Sequence, residues 1–202
     1  MPEFVDSSEA AGDLQTLERR YAVAMEIAWR AFRRLGVRES ALADAVQDTL
    51  LVVHRRQADF RGESSFRTWV YGIVLRVASS HRRRERRAKT VFAIENTASL
   101  EQPVSGEPSP FECLEQKVAT ELLHSLLDEL PPDLREVFVL VELEELSLES
   151  AAAALGVRVT TCKSRLRSAR RDFESRVART RARLLHGNDR PGNDRSCEGS
   201  SR

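Results

Sequence analysis

The chain is poor in the groups that hold small proteins together covalently or through metals. Its three cysteines, Cys113, Cys162 and Cys197, are odd in number and far apart in 202 residues. No CxxC pair and no His/Cys cluster has zinc-ligand spacing, so neither a disulfide framework nor a metal site is expected. Aromatic residues make up 6% of the chain, and only 9 glycines and 7 prolines occur. That scarcity argues against a sheet built from aromatic strands and tight turns. No stretch approaches the roughly 18 apolar residues that mark a membrane span. The opening MPEFVDSSEAAGDL lacks a basic start followed by an apolar run, so no secretory signal is expected. The reading is a soluble, cytoplasmic chain.

What is abundant is Ala, Leu, Val, Arg and Glu, the material of charged helices around an apolar core. The net charge of +1 hides a strong segregation. Bases gather over residues 82–89 and 158–183, acids over 95–149. It is this separation, and not the total, that a polyanionic partner would feel.

Apolar residues at 14, 17, 21, 24, 28, 32 and 35 recur every three or four positions and predict an amphipathic helix ended by Gly36. A second helix is expected from about Ser40, read as its N-cap, to Arg56, with Leu42, Ala45, Val46, Thr49, Leu50 and Val53 inward. After a polar turn, a third runs from Ser65 to about Arg84 on a stripe of Phe66, Trp69, Val70, Ile73, Val77 and His81. Periodicity is absent over residues 89–111, where prolines and a glycine predict a flexible linker. It resumes at Leu114 and pauses at Pro131 and Pro132, and a helix is expected over residues 133–144. Residues 1–13 and 187–202 are expected to be disordered. The fold class is therefore all-α: two small helical domains, 14–88 and 112–186, on a linker.

The sharpest motif is LSLESAAAALGVRVTTCKSRL over residues 146–166. Ser147 can cap a short helix, Gly156 permits a left-handed turn, and a second helix begins near Val159 with Cys162, Leu166 and Ala169 inward. This is a helix-turn-helix. The outward residues of the second helix, Thr160, Thr161, Lys163, Ser164, Arg165, Arg167 and Arg170, suit a major groove. Lys and Arg donate to guanine edges, while Ser and Thr reach bases or phosphates. Arg158 stands where a Ser or Thr would cap that helix better, so Thr160, Thr161 or a bound phosphate takes the role.

A second constellation is FRGESSFRTWVYGI (60–73) followed by HRRRERR (81–87). Aromatic faces beside a basic run can stack and track a single strand. By spacing alone Phe66 reads rather as core, while Trp69 and Tyr71 stay open between the two roles. The acids Glu142, Glu144 and Glu145 read as a solvated helix end without a convergent nucleophile.

Together these pieces resemble the extracytoplasmic-function sigma factors of bacterial RNA polymerase, over residues 15–87 and 112–176. ADAVQDTLLVVHR (43–55) resembles the family's polymerase-binding helix, and FRGESSFRTWVYGI its promoter-melting segment. LPPDLREVFVL (130–140) with KSRLRSAR (163–170) resembles its helix-turn-helix domain. The resemblance implies no enzymatic activity and no cofactor. It implies that the first domain grips the clamp helices of the polymerase's largest subunit through Asp44, Gln47, Asp48 and Arg55. It implies that Phe60, Arg61, Ser64, Ser65 and Phe66 hold a flipped minus-ten base. Arg67, Trp69, Tyr71, Arg76, Arg82, Arg83 and Arg84 would then meet the separated strand and its phosphates. In the second domain it implies base reading at the minus-thirty-five element by Lys163, Ser164 and Arg167. Thr160, Thr161, Arg165, Arg170 and Arg171 would hold the backbone, and the domain would meet the second-largest subunit's flap. It further implies an anti-sigma partner. His54, Arg76 and Ser80 stand where the family commonly has Trp, Asn and Asp. The rival readings are a stand-alone helix-turn-helix regulator and a recombinase-type enzyme. Against the latter, Tyr21 and Tyr71 sit in apolar helical contexts.

Overall fold

The computed structural model describes residues 7–91 and 110–186. Among the described residues every regular element is helical, in the order α1 (Ser7–Arg34), α2 (Glu39–Arg56), α3 (Phe66–Val91), α4 (Pro110–Asp128), α5 (Pro132–Phe138), α6 (Leu148–Leu155) and α7 (Val159–His186). A short 3-10 turn, Gln57–Asp59, follows α2, and a π-helical turn, Val139–Leu143, follows α5. None of these helices is long and apolar enough to cross a membrane.

The first domain is α1, α2 and α3 around the expected apolar faces. Ala24, Ile27, Ala28, Ala31, Phe32 and Leu35 of α1 meet Leu42, Ala45, Val46 and Val53 of α2, all buried. Each such larger side chain contributes about 1.5–3 kcal/mol by leaving water. Thr49, fully buried among them, donates its hydroxyl to Ala45 O at 2.9 Å, so the helix carries no unpaired polar group there. The second domain closes around Leu127, Leu130, Val137, Phe138 and Leu140, with Cys162, Leu166 and Ala169 of α7 facing inward as expected. Phe138 and Phe173 stack with centroids 4.6 Å apart.

Several local expectations need correction. α1 begins at Ser7, well before Leu14, because Ala10, Ala11 and Leu14 are good helix formers. Ser40 is not a cap: α2 starts at Glu39 after an extended Arg38, and Glu39 is held by Arg33 at 2.9 Å. α4 starts on Pro110, a residue suited to the first helical position. The helix expected over 133–144 ends at Phe138 and widens into the π turn, after which Glu144 is buried while Glu145 stays exposed. α3 starts at Phe66 and not at Ser65, which stands before it and accepts from Thr68 N at 3.1 Å. Other expectations hold. Ser147 accepts from Ser150 N at 3.1 Å at the start of α6. Gly156 takes φ 66°, and Val157 N reaches back to Ala152 O at 3.0 Å, which closes the helix-turn-helix corner. Of the expected linker, residues 92–109 lie outside the described residues, as do 1–6 and the tail 187–202.

The two domains do not stand apart. Their buried residues form one continuous cluster, because α6 packs on α3. The helix α3 is therefore buried on two sides. Besides the predicted Val70 and Ile73, it buries Tyr71, Val74, Leu75 and Ala78.

Candidate nucleic-acid interface

Two surfaces carry the residues singled out in the sequence, and they differ in accessibility. On α7 the helix-turn-helix corner projects the first turns of the helix outward. Thr160, Lys163, Ser164 and Arg167 are exposed, spaced by three and four residues on one face. Ser164 donates its hydroxyl to Thr161 O at 2.9 Å, one turn back on its own helix. Thr161 and Arg165 are half-buried, and Arg165 lies 3.6 Å from Asp133. Arg170 is committed to Glu142 at 2.6 Å and Arg171 approaches Asp172 at 3.7 Å, so these two bound the strip. Its centre, Lys163 with Arg167, presents cationic donors toward solvent from the N-terminal half of the helix.

In the first domain the loop after α2 returns through an exposed Arg61 and a left-handed Gly62 (φ 73°) to Ser65. Phe60, Phe66 and Trp69 gather there with ring centroids 5.5–5.7 Å apart, all half-buried. The Arg20 guanidinium lies over the Phe66 ring at 5.7 Å. Phe66 is thus neither plain core nor a free platform: it packs on its neighbours and keeps an accessible part. Ser64 is half-buried and Ser65 exposed beside this cluster. Exposed Arg76 lines an open groove of about 370 Å³ with Val52, Arg55, Arg56, Ile73 and Val77. Arg83 and Arg84 are exposed, with Arg84 3.8 Å from Asp48.

Three residues expected to meet a strand are placed elsewhere. Tyr71 is fully buried and donates its hydroxyl to Glu144 of the second domain at 2.5 Å. Arg67 donates to Glu144 O at 3.2 Å and lies over the Tyr71 ring at 5.6 Å. Arg82 donates to Leu35 O at 2.6 Å and to Glu136 at 2.5 Å, leaving its side chain 11% exposed. The reason is the docking of the second domain on α3. Burial, with Glu144 beside it, pushes the Tyr71 hydroxyl up to about 12.

Glu144 itself corrects the reading of the acidic helix end. Its side chain is fully buried, and Arg30 donates to it at 2.8 and 3.0 Å and Arg34 at 2.7 Å. Hydrogen bonding to Glu144 is the main cause raising the Arg30 pKa above its ordinary value. No sequence pattern marks Glu144 as different from Glu142 or Glu145; the π turn and the facing arginines do.

On α2, Asp44, Gln47 and Arg55 are exposed, while Asp48 is half-buried and lies 2.9 Å from His81 Nε2. Leu51, exposed among them, was missed in the sequence because it interrupts no stripe. His54 Nδ1 lies 2.5 Å from the Tyr21 hydroxyl, which ties this departure from the family pattern to α1.

Both domains resemble known proteins. Residues 23–88 match the family described as Sigma-70 region 2, and residues 120–173 match Sigma-70, region 4. The chain is 34% identical over 161 residues to the RNA polymerase sigma factor CnrH of Cupriavidus metallidurans, covering 76% of this chain and 81% of that one. It is 31% identical over 169 residues to the RNA polymerase sigma factor YlaC of Bacillus subtilis, covering 83% and 94%. It is 30% identical over 138 residues to the ECF RNA polymerase sigma-E factor of Escherichia coli, covering 66% and 72%. Among solved structures, CnrH in complex with the cytosolic domain of CnrY shares the fold with TM-score 0.56 at 24% identity, over 86% of this chain and 90% of that one. So does the sigma factor RpoE in complex with the anti-sigma factor NepR from Bartonella quintana, with TM-score 0.53 at 24% identity, over 83% and 95%.

Proposed function

The chain belongs to the extracytoplasmic-function sigma factors of RNA polymerase, and from that premise we propose how its side chains divide the work of directing core polymerase to promoters. The second domain reads the minus-thirty-five element with Lys163, Ser164 and Arg167 on base edges. Thr160, Thr161, Arg165, Arg170 and Arg171 hold phosphates. The first domain receives a base turned out of the minus-ten element at the Phe60, Phe66 and Trp69 cluster, with Arg61, Ser64 and Ser65 at its mouth. Stacking of this kind is worth about 1–3 kcal/mol per base and offsets the cost of unstacking. Arg76, Arg83 and Arg84 take flanking phosphates, and Arg67, Tyr71 and Arg82 join them once the domains separate. Asp44, Gln47, Asp48 and Arg55, with Leu51 between them, form the face for the clamp helices of the largest subunit; the second domain meets the flap.

The observation that carries this reading is the pairing of an open cationic strip on α7 with an accessible aromatic cluster at the head of α3, within the two matched regions. The chain has no polymerising chemistry of its own in this reading, and it acts in the cytoplasm on the nucleoid. Two structural neighbours were solved with CnrY and with the anti-sigma factor NepR, which supports an anti-sigma partner here too. The test is to add the purified protein to bare core polymerase and map transcript starts on genomic DNA. Discrete new starts with a shared upstream sequence are expected. Tight duplex binding without any effect on core would instead identify a stand-alone regulator.

A further inference from the structure

The distal half of α7 runs out from under its own domain. Phe173 still stacks on Phe138, and Arg176 ties the helix to Glu129 at 2.6 Å. From Val177 to Arg183 every side chain is exposed except Thr180, which is half-buried. Val177 is 39% exposed and Leu185 68%. Phe173, Glu174, Val177, Ala178, Arg181 and Leu185 line an open groove of about 510 Å³ along this half. Their spacing of three and four residues sets them along one side of the helix.

This side carries its own complement. At its centre stand Val177 and the small Ala178. Glu174 lies three residues before that centre and Arg181 three residues after it. The two charges are about 10 Å apart along the axis, too far to meet within one chain. Among the described residues the ion pairs of α7 involve Arg165, Arg170, Arg171 and Arg176, and neither Glu174 nor Arg181. At about 3.6 residues per turn, Arg176, Arg179 and Arg183 project from the far side. Of the arginines from 176 to 183, only Arg181 therefore belongs to the apolar side.

We propose that this side pairs with the same side of a second copy of the chain, the two α7 helices running antiparallel about a dyad at Val177 and Ala178. In that register Glu174 comes level with Arg181 of the second copy, and by symmetry the pair forms twice. Ala178 meets its own counterpart across the dyad and lets the helix axes approach to about 8–10 Å. A parallel pairing would instead set Glu174 against Glu174 and Arg181 against Arg181. Each helix ends at His186, eight residues past the centre, and so comes level with Ala169 of the other, short of Lys163 and Arg167. The pairing is independent of the promoter contacts proposed above. A contact between two half-helices falls below the roughly 1,200 Å² of a stable interface, so the dimer is weak, forming at about 10–100 µM.

Sedimentation velocity of the full chain tests this over about 1 to 300 µM, a range that brackets the expected affinity. A rise from monomer to dimer with concentration is expected, smaller at high salt. Glu174→Arg and Arg181→Glu should each weaken association about tenfold or more, because each sets like charges together twice. The double variant should regain the association of the unaltered chain, since both pairs return with their signs exchanged. Both positions are exposed, so the variants keep the fold, which circular dichroism checks. Cys162 is buried, so oxidative cross-linking can be read in a chain with Cys113 and Cys197 replaced by Ser. There Ala178→Cys should link two copies, and Leu185→Cys should not, because the dyad places its two copies at opposite ends of the contact. A chain that stays monomeric over the whole range, or single reversals without effect, would overturn the proposal. So would a double variant no better than the single ones, or cross-linking at position 185 in place of 178.

Discussion

The helices α3 and α7 invite comparison because both are long, basic and aligned with a nucleic-acid role, yet the molecule treats them oppositely. α7 buries a single face, Cys162, Leu166 and Ala169, and leaves Lys163 and Arg167 in solvent. α3 is buried on two faces, and its arginines are shared between solvent and the partner domain. A basic residue on a helix is thus only a candidate for phosphate or base. Whether it is available is decided by what else the fold brings to that face. On α7 availability is unconditional; on α3 it depends on where the second domain sits.

The largest effect is expected in the shared core. Phe32 is fully buried on α1, and Phe32→Ala should cost about 3–5 kcal/mol through lost burial and the cavity left behind. The comparison sharpens if hydrogen exchange shows the first domain losing protection while the amides around Cys162 and Leu166 keep theirs. Collapse of both domains together would erase the distinction drawn between them.

Next comes the pH response of the domain contact. The Tyr71 hydroxyl is pushed up to about 12, chiefly by burial and then by Glu144, against about 10 in an unfolded chain. Between those values the unfolded state binds fewer protons, so stability falls as pH rises. The contribution is present in full below pH 10, declines from 10 to about 12, and is constant beyond. The decline should amount to up to about 2–3 kcal/mol. Denaturant titrations at pH 9.5 and 11.5 check it, and Tyr71→Phe should flatten the difference. A wild-type chain whose stability is equal at the two values, or a Phe variant that declines as steeply, would contradict the burial of this phenol against a carboxylate.

The two helices can then be compared directly as readers. Arg167→Ala should weaken binding to a minus-thirty-five duplex by about 1–3 kcal/mol, the range for one good base contact, with or without polymerase. Arg67→Ala should leave that binding unchanged, because its guanidinium is engaged by Glu144 and Tyr71 and lies on the other helix. Equal losses from both substitutions in fluorescence anisotropy would mean that availability does not separate α3 from α7.

How much of this was legible beforehand follows the range of the forces involved. Local chemistry read correctly: Ser147 caps where expected, Gly156 turns left-handed, and Cys162, Leu166 and Ala169 face inward. These depend on neighbours within a turn or two. The α3 stripe was read for one face only, since a periodic pattern cannot say that Tyr71, Val74 and Ala78 find a second cover. Glu144 was read as solvated for the same reason. Three glutamates within four positions differ only in what lies more than 70 residues away in the chain, at Arg30, Arg34 and Tyr71. The aromatic cluster was found by type and spacing, but not the partial burial that leaves it both packed and accessible. The cap of α2 was misjudged because Ser40 is a plausible cap by type, whereas Arg38 holds the extended backbone there.

The smallest effect concerns the residue that follows Glu144 at the end of the π turn. Glu145 has φ 56°, the one positive value at a non-glycine among the described residues. There the chain leaves the π turn, and Leu146 N reaches back to Leu140 O at 2.9 Å. A left-handed conformation costs a residue with a Cβ about 1–2 kcal/mol, and glycine returns part of that through its larger freedom when unfolded. Glu145→Gly should therefore raise stability by about 1 kcal/mol in denaturant unfolding. The turn places Glu144 against Arg30, Arg34 and Tyr71, so the gain should appear in the intact chain and vanish in a Glu144→Gln background. The second-domain helix-turn-helix strip should bind its duplex as before. An equal gain in the Glu144→Gln background would show that Glu145 strains the turn without positioning Glu144. Loss of stability would show that the Glu145 side chain contributes more than its backbone costs.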